Sequence, residues 1–219
     1  ACMNIDTKTI EKFLSNDEIN LIHDIMSLHN IETGKSGEEH GDHQADYHYI
    51  KLYDYDPHKQ IADILLPKLK KILHENIYID DCHIMDSFKP YIPHSDTLTP
   101  EPGPGYMHAW TIIIPMDDFN SNTFIFEEQC PWTKSVMEWV SKNNIQPKNA
   151  ISDYMYQTYF THSDKEQFKY LTLHDIFPWR KGWMNATSRT RFHTSDNYLA
   201  KGLKSKRGIV MWTSLPKDT

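Results

Sequence analysis

The sequence predicts a mainly-β chain with flanking helices (α+β), in which a β-sandwich or jelly roll follows N-terminal helices packed outside it. Apolar residues recur at helical spacing chiefly in the first third of the chain. From Ile77 onward, short β-branched and aromatic runs alternate with Pro- and Gly-rich breaks, of which Pro100-Glu101-Pro102-Gly103-Pro104-Gly105 is the clearest. Helices first and many short strands afterwards point to a sandwich with its helices to one side. The 219 residues suit one domain over 1–219, with 1–76 as a helical flank plus leading strand and 77–213 as the core.

Taken in order, Ser15 or Asn16 caps a helix through Met26, with Asp17 and Glu18 in its first turn and Ile19, Ile22, Ile25 and Met26 on one stripe. Gly34 to His48 is polar and carries His40, His43 and His48 among Glu38, Glu39, Asp42 and Asp46. It predicts a solvated loop, with metal binding or a lid as alternatives. Tyr47 to Tyr55 reads as a strand. Asp56 and Pro57 then open a second helix, with Ile61, Ile64, Leu65, Leu69 and Ile72 on its apolar side. Strands are expected at Ile77–Asp80, Ile84–Phe88, Trp110–Met116, Asn122–Glu127, Gly182–His193 and Gly208–Thr213. Shorter helical pieces are expected at Pro131–Asn143 and Asp164–Leu173.

Composition narrows the function classes. At 39% hydrophobic and 12% aromatic the chain can build a core, which excludes global disorder. A net charge of −7 gives no bulk attraction for nucleic acid, and the basic cluster Lys201, Lys204, Lys206, Arg207 is local. Cys2, Cys82 and Cys130 are too widely spaced for a disulfide framework or a CxxC metal site, so a reducing interior is expected. Ala1 to Lys12 lacks the apolar core of a secretory signal, and runs such as Ile112–Ile114 are too short for a bilayer. The expected location is cytoplasmic, with no membrane partner.

The chemistry gathers at Tyr91-Ile92-Pro93-His94-Ser95-Asp96. On extended backbone His94 and Asp96 share a face and Ser95 turns away. His193, arriving from a distant strand, would complete a two-histidine, one-carboxylate face suited to octahedral Fe(II) with open positions. The triplet alone is weak evidence, because 13 His and 19 Asp place about one His-x-Asp by chance. Another occurs at His162/Asp164. That one resembles a helix N-cap, with Glu166 and Gln167 following. It also lies too near His193 to leave room for the strands of a jelly roll, so His94/Asp96 is the better pair. His193 follows a polar segment, Asn185–Arg191, which suits a strand facing a site, with an exposed edge strand as the alternative. On the last strand, period 2 lets only one of Lys206 and Arg207 point inward. Arg207 offers bidentate geometry, and Lys206 shares its face with Gly208, which would leave room for a ligand. Parity does not choose between them.

These pieces resemble the iron(II)- and 2-oxoglutarate-dependent oxygenase superfamily, especially small members found in phages and marine bacteria. The resemblance runs through Pro90–Asp96, Thr111–Pro115, Asn122–Glu127, Pro178–Gly182, Arg189–Asn197 and Lys204–Ile209. It implies a double-stranded β-helix, Fe(II) on His94, Asp96 and His193, and 2-oxoglutarate and O2 as cosubstrates. It aligns the basic residue for the far carboxylate best with Lys206, with Arg207 kept as the alternative. The implied reaction hydroxylates a substrate and releases succinate and CO2. Asp96 argues against halogenation, which needs that position free of a carboxylate. The sequence departs from the family pattern at Ser188, where an acidic residue is expected before Arg189. Trp110, His108, Trp132 and Trp183 are candidates for the mouth of the site and equally for core or frame. Of the two arginines able to meet an anionic substrate, Arg191 shares the face of His193 if 185–193 is one regular strand. Two other classes remain: a cupin-like metal enzyme not using 2-oxoglutarate, and a non-catalytic jelly-roll binding module.

Overall fold

The computed structural model describes residues 5–36, 43–53, 56–98 and 100–217. His40, with Glu38, Glu39 and Asp42, lies outside the described residues, as do Asp54 and Tyr55 at the end of the strand expected over 47–55. The architecture is mostly β with several helices, arranged as two antiparallel sheets.

The chain enters through β1 (Lys8–Ile10) and then α1 (Asn16–Leu28). Ser15 caps α1 in a reciprocal capping box with Glu18, and Ile19, Ile22 and Ile25 are buried. β2 (Thr33–Ser36) and β3 (Ala45–Tyr49) pair antiparallel, so strands take up both ends of the stretch expected to be a loop over 34–48. α2 (Asp56–Ile72) returns across α1. Its Lys68 ammonium holds both Glu18 carboxylate oxygens, at 2.5 and 2.7 Å, and the Phe13 carbonyl at 3.0 Å. β4 (Tyr78–Ser87) is one long strand where two short ones were expected. β5 (Tyr106–Pro115), β6 (Asn122–Gln129) and α3 (Val136–Asn143) follow. After short helical turns at 153–168 come β7 (Leu173–Pro178), β8 (Met184–Ser188), β9 (Arg191–Ser195) and β10 (Lys206–Pro216).

The larger sheet runs β1-β8-β5-β10-β4-β3-β2 and the smaller β7-β6-β9. The side-chain period of 2 divides the larger sheet cleanly. One face carries Cys82, Ile84, Ile112, Ile114, Ala186, Ile209 and Met211. It shares a single apolar cluster with Ile19 and Ile22 of α1 and Ile61, Leu65 and Leu69 of α2. The other face is set by register: Ser87, Met85 and His83 of β4 stand opposite Lys206, Gly208 and Val210 of β10. Ile113 and Thr111 of β5 continue that face beside Val210 and Trp212, and Tyr47 and Tyr49 of β3 beside Met85 and His83. Ile113 packs there against Phe177 and Trp179 from the end of the smaller sheet, so this inner face looks across the sandwich. No helix among the described residues is long and apolar enough to cross a membrane.

Gly182-to-His193, expected as one strand, is two. β8 belongs to the larger sheet and β9 to the smaller. The crossing falls at Arg189-Thr190, where the Ser188 and Thr190 hydroxyls are 2.8 Å apart and the Arg189 side chain is drawn fully into the interior. Ahead of β8, the Gly182 carbonyl accepts from Leu14 N at 2.9 Å with Gly182 at φ +72°. A Cβ at Gly182 would collide with the Leu14 carbonyl oxygen. Gly182→Ala combines a left-handed φ with that clash, so we expect a loss of about 2 kcal/mol or more, measured as a lowered urea midpoint at unchanged slope.

Candidate metal centre

Two backbone hydrogen bonds seat the 91–97 loop on β9: His94 N to His193 O at 3.0 Å and His193 N to His94 O at 2.9 Å. Two residues on, Asp96 N donates to Arg189 O at 2.8 Å. Between these anchors Ser95 turns away, its hydroxyl donating to Thr133 O at 2.9 Å. His94, Asp96 and His193 thereby converge. His94 Nε2 lies 3.7 Å from Asp96 Oδ1, and His193 Nε2 lies 3.3 Å from Asp96 Oδ2. One ligand atom from each of the three residues falls within 4.8 Å of the others. Donors about 2.1 Å from one ion stand roughly 3 to 3.5 Å apart, so only small side-chain adjustments separate this set from a coordination face.

Hydrogen bonding sets the tautomers. His94 Nδ1 lies 2.7 Å from Ile92 O and His193 Nδ1 lies 3.1 Å from Arg191 O. A carbonyl only accepts, so each Nδ1 carries the proton and each Nε2 presents a lone pair. Burial, followed by the neighbouring His193, lowers His94 to about 4, which keeps it neutral at pH 7. Burial alone would raise the Asp96 carboxyl. His193, His94, the Thr111 hydroxyl (2.6 Å from Oδ2) and Arg189 outweigh it and hold Asp96 below the ordinary carboxylate range. Two lone pairs and a carboxylate thus face one point with no donor among them. A divalent cation satisfies that set.

Arg189 ties the Asp96 loop to the larger sheet. Its Nε donates to Asp96 O at 3.2 Å and one terminal nitrogen to Asp80 Oδ2 at 2.8 Å and Thr213 O at 3.3 Å. The other terminal nitrogen donates to Pro100 O. The acid that meets Arg189 is therefore Asp80 of β4, a partner that local sequence around Ser188 does not reveal.

The inner end of β10 holds Lys206, 4% exposed. Its ammonium donates to Ser195 Oγ at 2.8 Å and Ser121 Oγ at 3.1 Å, and sits 3.8 Å from the Trp179 ring centroid and 4.9 Å from that of Tyr198. The Trp179 indole N–H is fixed on Thr123 Oγ1 at 2.9 Å. Among the described residues no carboxylate forms an ion pair with Lys206. Burial lowers the Lys206 ammonium to about 7, against the pull of Asp196. Ser87 Oγ, opposite Lys206 in register, and Tyr198 OH are both buried without a partner. Arg207 faces the other way and grips both Asp86 oxygens at 2.6 and 2.7 Å. The space expected beside Gly208 is filled by Trp179, whose ring would stand 3.2 Å from a Cβ at that position.

No protein-family model matches the chain, and no curated protein matches it. Solved structures match it in fold. The non-haem α-ketoglutarate-dependent epimerase SnoN from nogalamycin biosynthesis aligns at TM-score 0.58 and 12% identity, over 96% of this chain and 78% of that one. HygX from Streptomyces hygroscopicus, with nickel and 2-oxoglutarate bound, aligns at TM-score 0.55 and 12% identity, over 96% and 83%. A 2OG-Fe(II) oxygenase family oxidoreductase from Burkholderia pseudomallei aligns at 0.55 and 13%, over 95% and 84%. The chain has the fold of the Fe(II)- and 2-oxoglutarate-dependent oxygenases.

Within this oxygenase fold the remaining sequence candidates separate. His162 is away from the triad's ligand atoms, its Nε2 3.2 Å from Tyr91 O, and Asp164 caps the short helix at 165–168. Trp110 packs into the helix-side cluster. His108 is half-buried with Nδ1 unpartnered, and burial together with Arg189 lowers it to about 4. Arg191 turns its guanidinium onto the Phe126 and Glu127 carbonyls, both at 3.1 Å. Trp132 is exposed beside Lys142, and Trp183 packs near Trp179.

Single replacement of His94, Asp96 or His193 by alanine is expected to weaken Co(II) binding at least about 100-fold. Thr111→Val, which removes a support of Asp96, should weaken it about tenfold. Visible absorption of the Co(II) protein checks both, with far-UV circular dichroism confirming the fold.

Proposed function

We propose that this protein is an Fe(II)- and 2-oxoglutarate-dependent dioxygenase, that its sheets are the two halves of a double-stranded β-helix, and that it hydroxylates its substrate. The observation that carries the proposal is an acceptor-only triad beside a buried cation that has no carboxylate ion pair among the described residues, on one inner surface. Ser195, which binds Lys206, is two residues past His193 on β9. That separation is about 7 Å along a strand, close to the length of a five-carbon dicarboxylate.

His94, Asp96 and His193 would hold Fe(II), the two neutral imidazoles and one carboxylate leaving a net positive site with open positions. Bound there, the iron supplies the oxygen chemistry that couples oxidation of substrate to decarboxylation of 2-oxoglutarate into succinate and CO2. Lys206 receives the distal carboxylate of 2-oxoglutarate, helped by Ser195 and the free hydroxyls of Ser87 and Tyr198, while the Ser121 hydroxyl, which donates to Asp196 Oδ1 at 2.7 Å, steadies the ammonium as an acceptor. Burial raises the Tyr198 phenol, which stays protonated as a donor. Trp179 walls this end and excludes water. Thr111 and Arg189 hold Asp96 in place. Arg207 takes no part, because Asp86 occupies it.

Anaerobic addition of Fe(II) and then 2-oxoglutarate should give a visible charge-transfer band that His94→Ala abolishes. An iron-loaded protein that gives no band with 2-oxoglutarate sinks the reading. Lys206→Met should weaken 2-oxoglutarate about 10- to 100-fold, while Arg207→Met leaves it unchanged. The pH profile carries a sign. Below pH 7 the free and occupied sites both hold the ammonium, and affinity is flat. Above pH 7 the free amine must gain a proton on binding, so affinity falls by up to tenfold per pH unit. Calorimetric titration across pH 6–9 should show this slope in the parent and none in Lys206→Met.

A further inference from the structure

The inner face of the larger sheet continues past the triad into a second cluster that the proposed chemistry does not use. Its members are Asp81 and His83 of β4, Trp212 of β10, and Tyr47 and Tyr49 of β3. Rings connect it to the triad without a break. His94 lies 5.6 Å from the Tyr91 ring, and the Tyr91 hydroxyl is 3.2 Å from that of Tyr47. His83 lies 4.5 Å from the Tyr47 ring and 4.8 Å from Trp212.

Two features of this cluster are unmet. His83 is 2% exposed, yet neither ring nitrogen has a hydrogen-bond partner, and Trp212 Nε1 is likewise buried and unpartnered. A β-bulge near Trp212/Thr213 brings two consecutive aspartates to bear on the inner side. Asp80 is neutralised there by Arg189. Asp81, a third exposed, has no lysine or arginine partner among the described residues. Its nearest basic atom is His83 Nδ1 at 3.8 Å, beyond hydrogen-bond reach. Burial, together with His48, lowers His83 to about 4, so that ring is neutral and does not supply the missing charge. Burial also raises the Asp81 carboxyl, a cost that a cation seated beside it would offset.

We infer that Asp81, His83, Trp212 and Tyr49 form a substrate subsite for a protonated amine, and hence that the substrate carries one. The inference rests on the oxygenase reading only in calling the ligand a substrate. The carboxylate supplies charge, the neutral imidazole a lone pair for an N–H donor, and the ring faces favour a cation over a neutral group. One carboxylate among aromatic rings is too poor in oxygen ligands for a divalent hard cation. The opposite charge, an anionic substrate, would meet Asp81 unfavourably.

The probe is benzylamine, compared with benzyl alcohol and benzoate, titrated into the full chain while the Trp212 indole N–H signal is followed by NMR. Trp212→Phe assigns that signal. Benzylamine should shift it and bind at least tenfold more tightly than benzyl alcohol, with benzoate inert. Asp81→Asn, which preserves the 2.8 Å bond from Cys82 N, should remove the advantage of the amine. His83→Leu should weaken benzylamine several-fold. Equal binding of amine and alcohol, or an unchanged benzylamine affinity in Asp81→Asn, overturns the inference. Repeating the titration with Zn(II) and 2-oxoglutarate bound separates the two readings. Amine binding that persists while iron and 2-oxoglutarate give no charge-transfer band would leave this subsite standing and remove the oxygenase assignment.

Discussion

The exchange of backbone hydrogen bonds between His94 and His193 is the constraint on which the centre depends. β9 belongs to the smaller sheet, whereas the 91–97 loop belongs to neither. Without that two-bond bridge, two ligands in the loop would have no fixed relation to the third, 97 residues beyond Asp96. The bridge also fixes rotation. With His94 N and O both turned toward β9, the alternation of extended backbone sends the His94 and Asp96 side chains to one side and Ser95 to the other. Arg189 extends the constraint to the larger sheet, joining the Asp96 carbonyl to Asp80 and Thr213. A buried ion pair is a poor source of net stability. It is an effective source of uniqueness, because either partner left alone is strongly penalised. At this seam uniqueness is what a coordination face needs.

The alternation that positions the triad was legible in sequence, since a His-x-Asp on extended backbone needs no tertiary information. So were α1 and α2, where Ser15, Glu18 and the isoleucine stripe agree with one another. Other features required partners far apart in the chain. β1 has only three residues and exists by pairing with β8. The break between β8 and β9 has no Gly or Pro to mark it; the burial of Arg189 imposes it. The choice between Lys206 and Arg207 was hidden for the same reason. Both suit a carboxylate, and what separates them is Asp86 on one face and the Ser121, Ser195 and Trp179 cage on the other. The cage residues come from three separate parts of the chain, and none is unusual alone.

The inner face differs from the helix-packed face in what it leaves unsatisfied. The helix side of β4, β5 and β10 is mainly Ile, Met, Cys and Ala, with Trp110 Nε1 of β5 buried there without a partner. On the inner side, the His83 nitrogens, Ser87 Oγ, Tyr198 OH and Trp212 Nε1 are buried without partners. Each such group costs about 1–3 kcal/mol, and a fold selected for stability alone would replace them with apolar residues of similar volume. Their placement is also ordered by charge. Among the described residues, Lys206 sits toward one end with no carboxylate ion pair, Asp81 toward the other with no lysine or arginine partner, and His94, Asp96 and His193 lie between. An unmet cation and an unmet anion on one wall have not neutralised each other because the strand register keeps them six residues apart on β4 and β10. The same register that builds the sheet therefore preserves two opposite demands for ligands on either side of the candidate metal face, and a wall of that kind orients a bound pair by charge before any shape is matched.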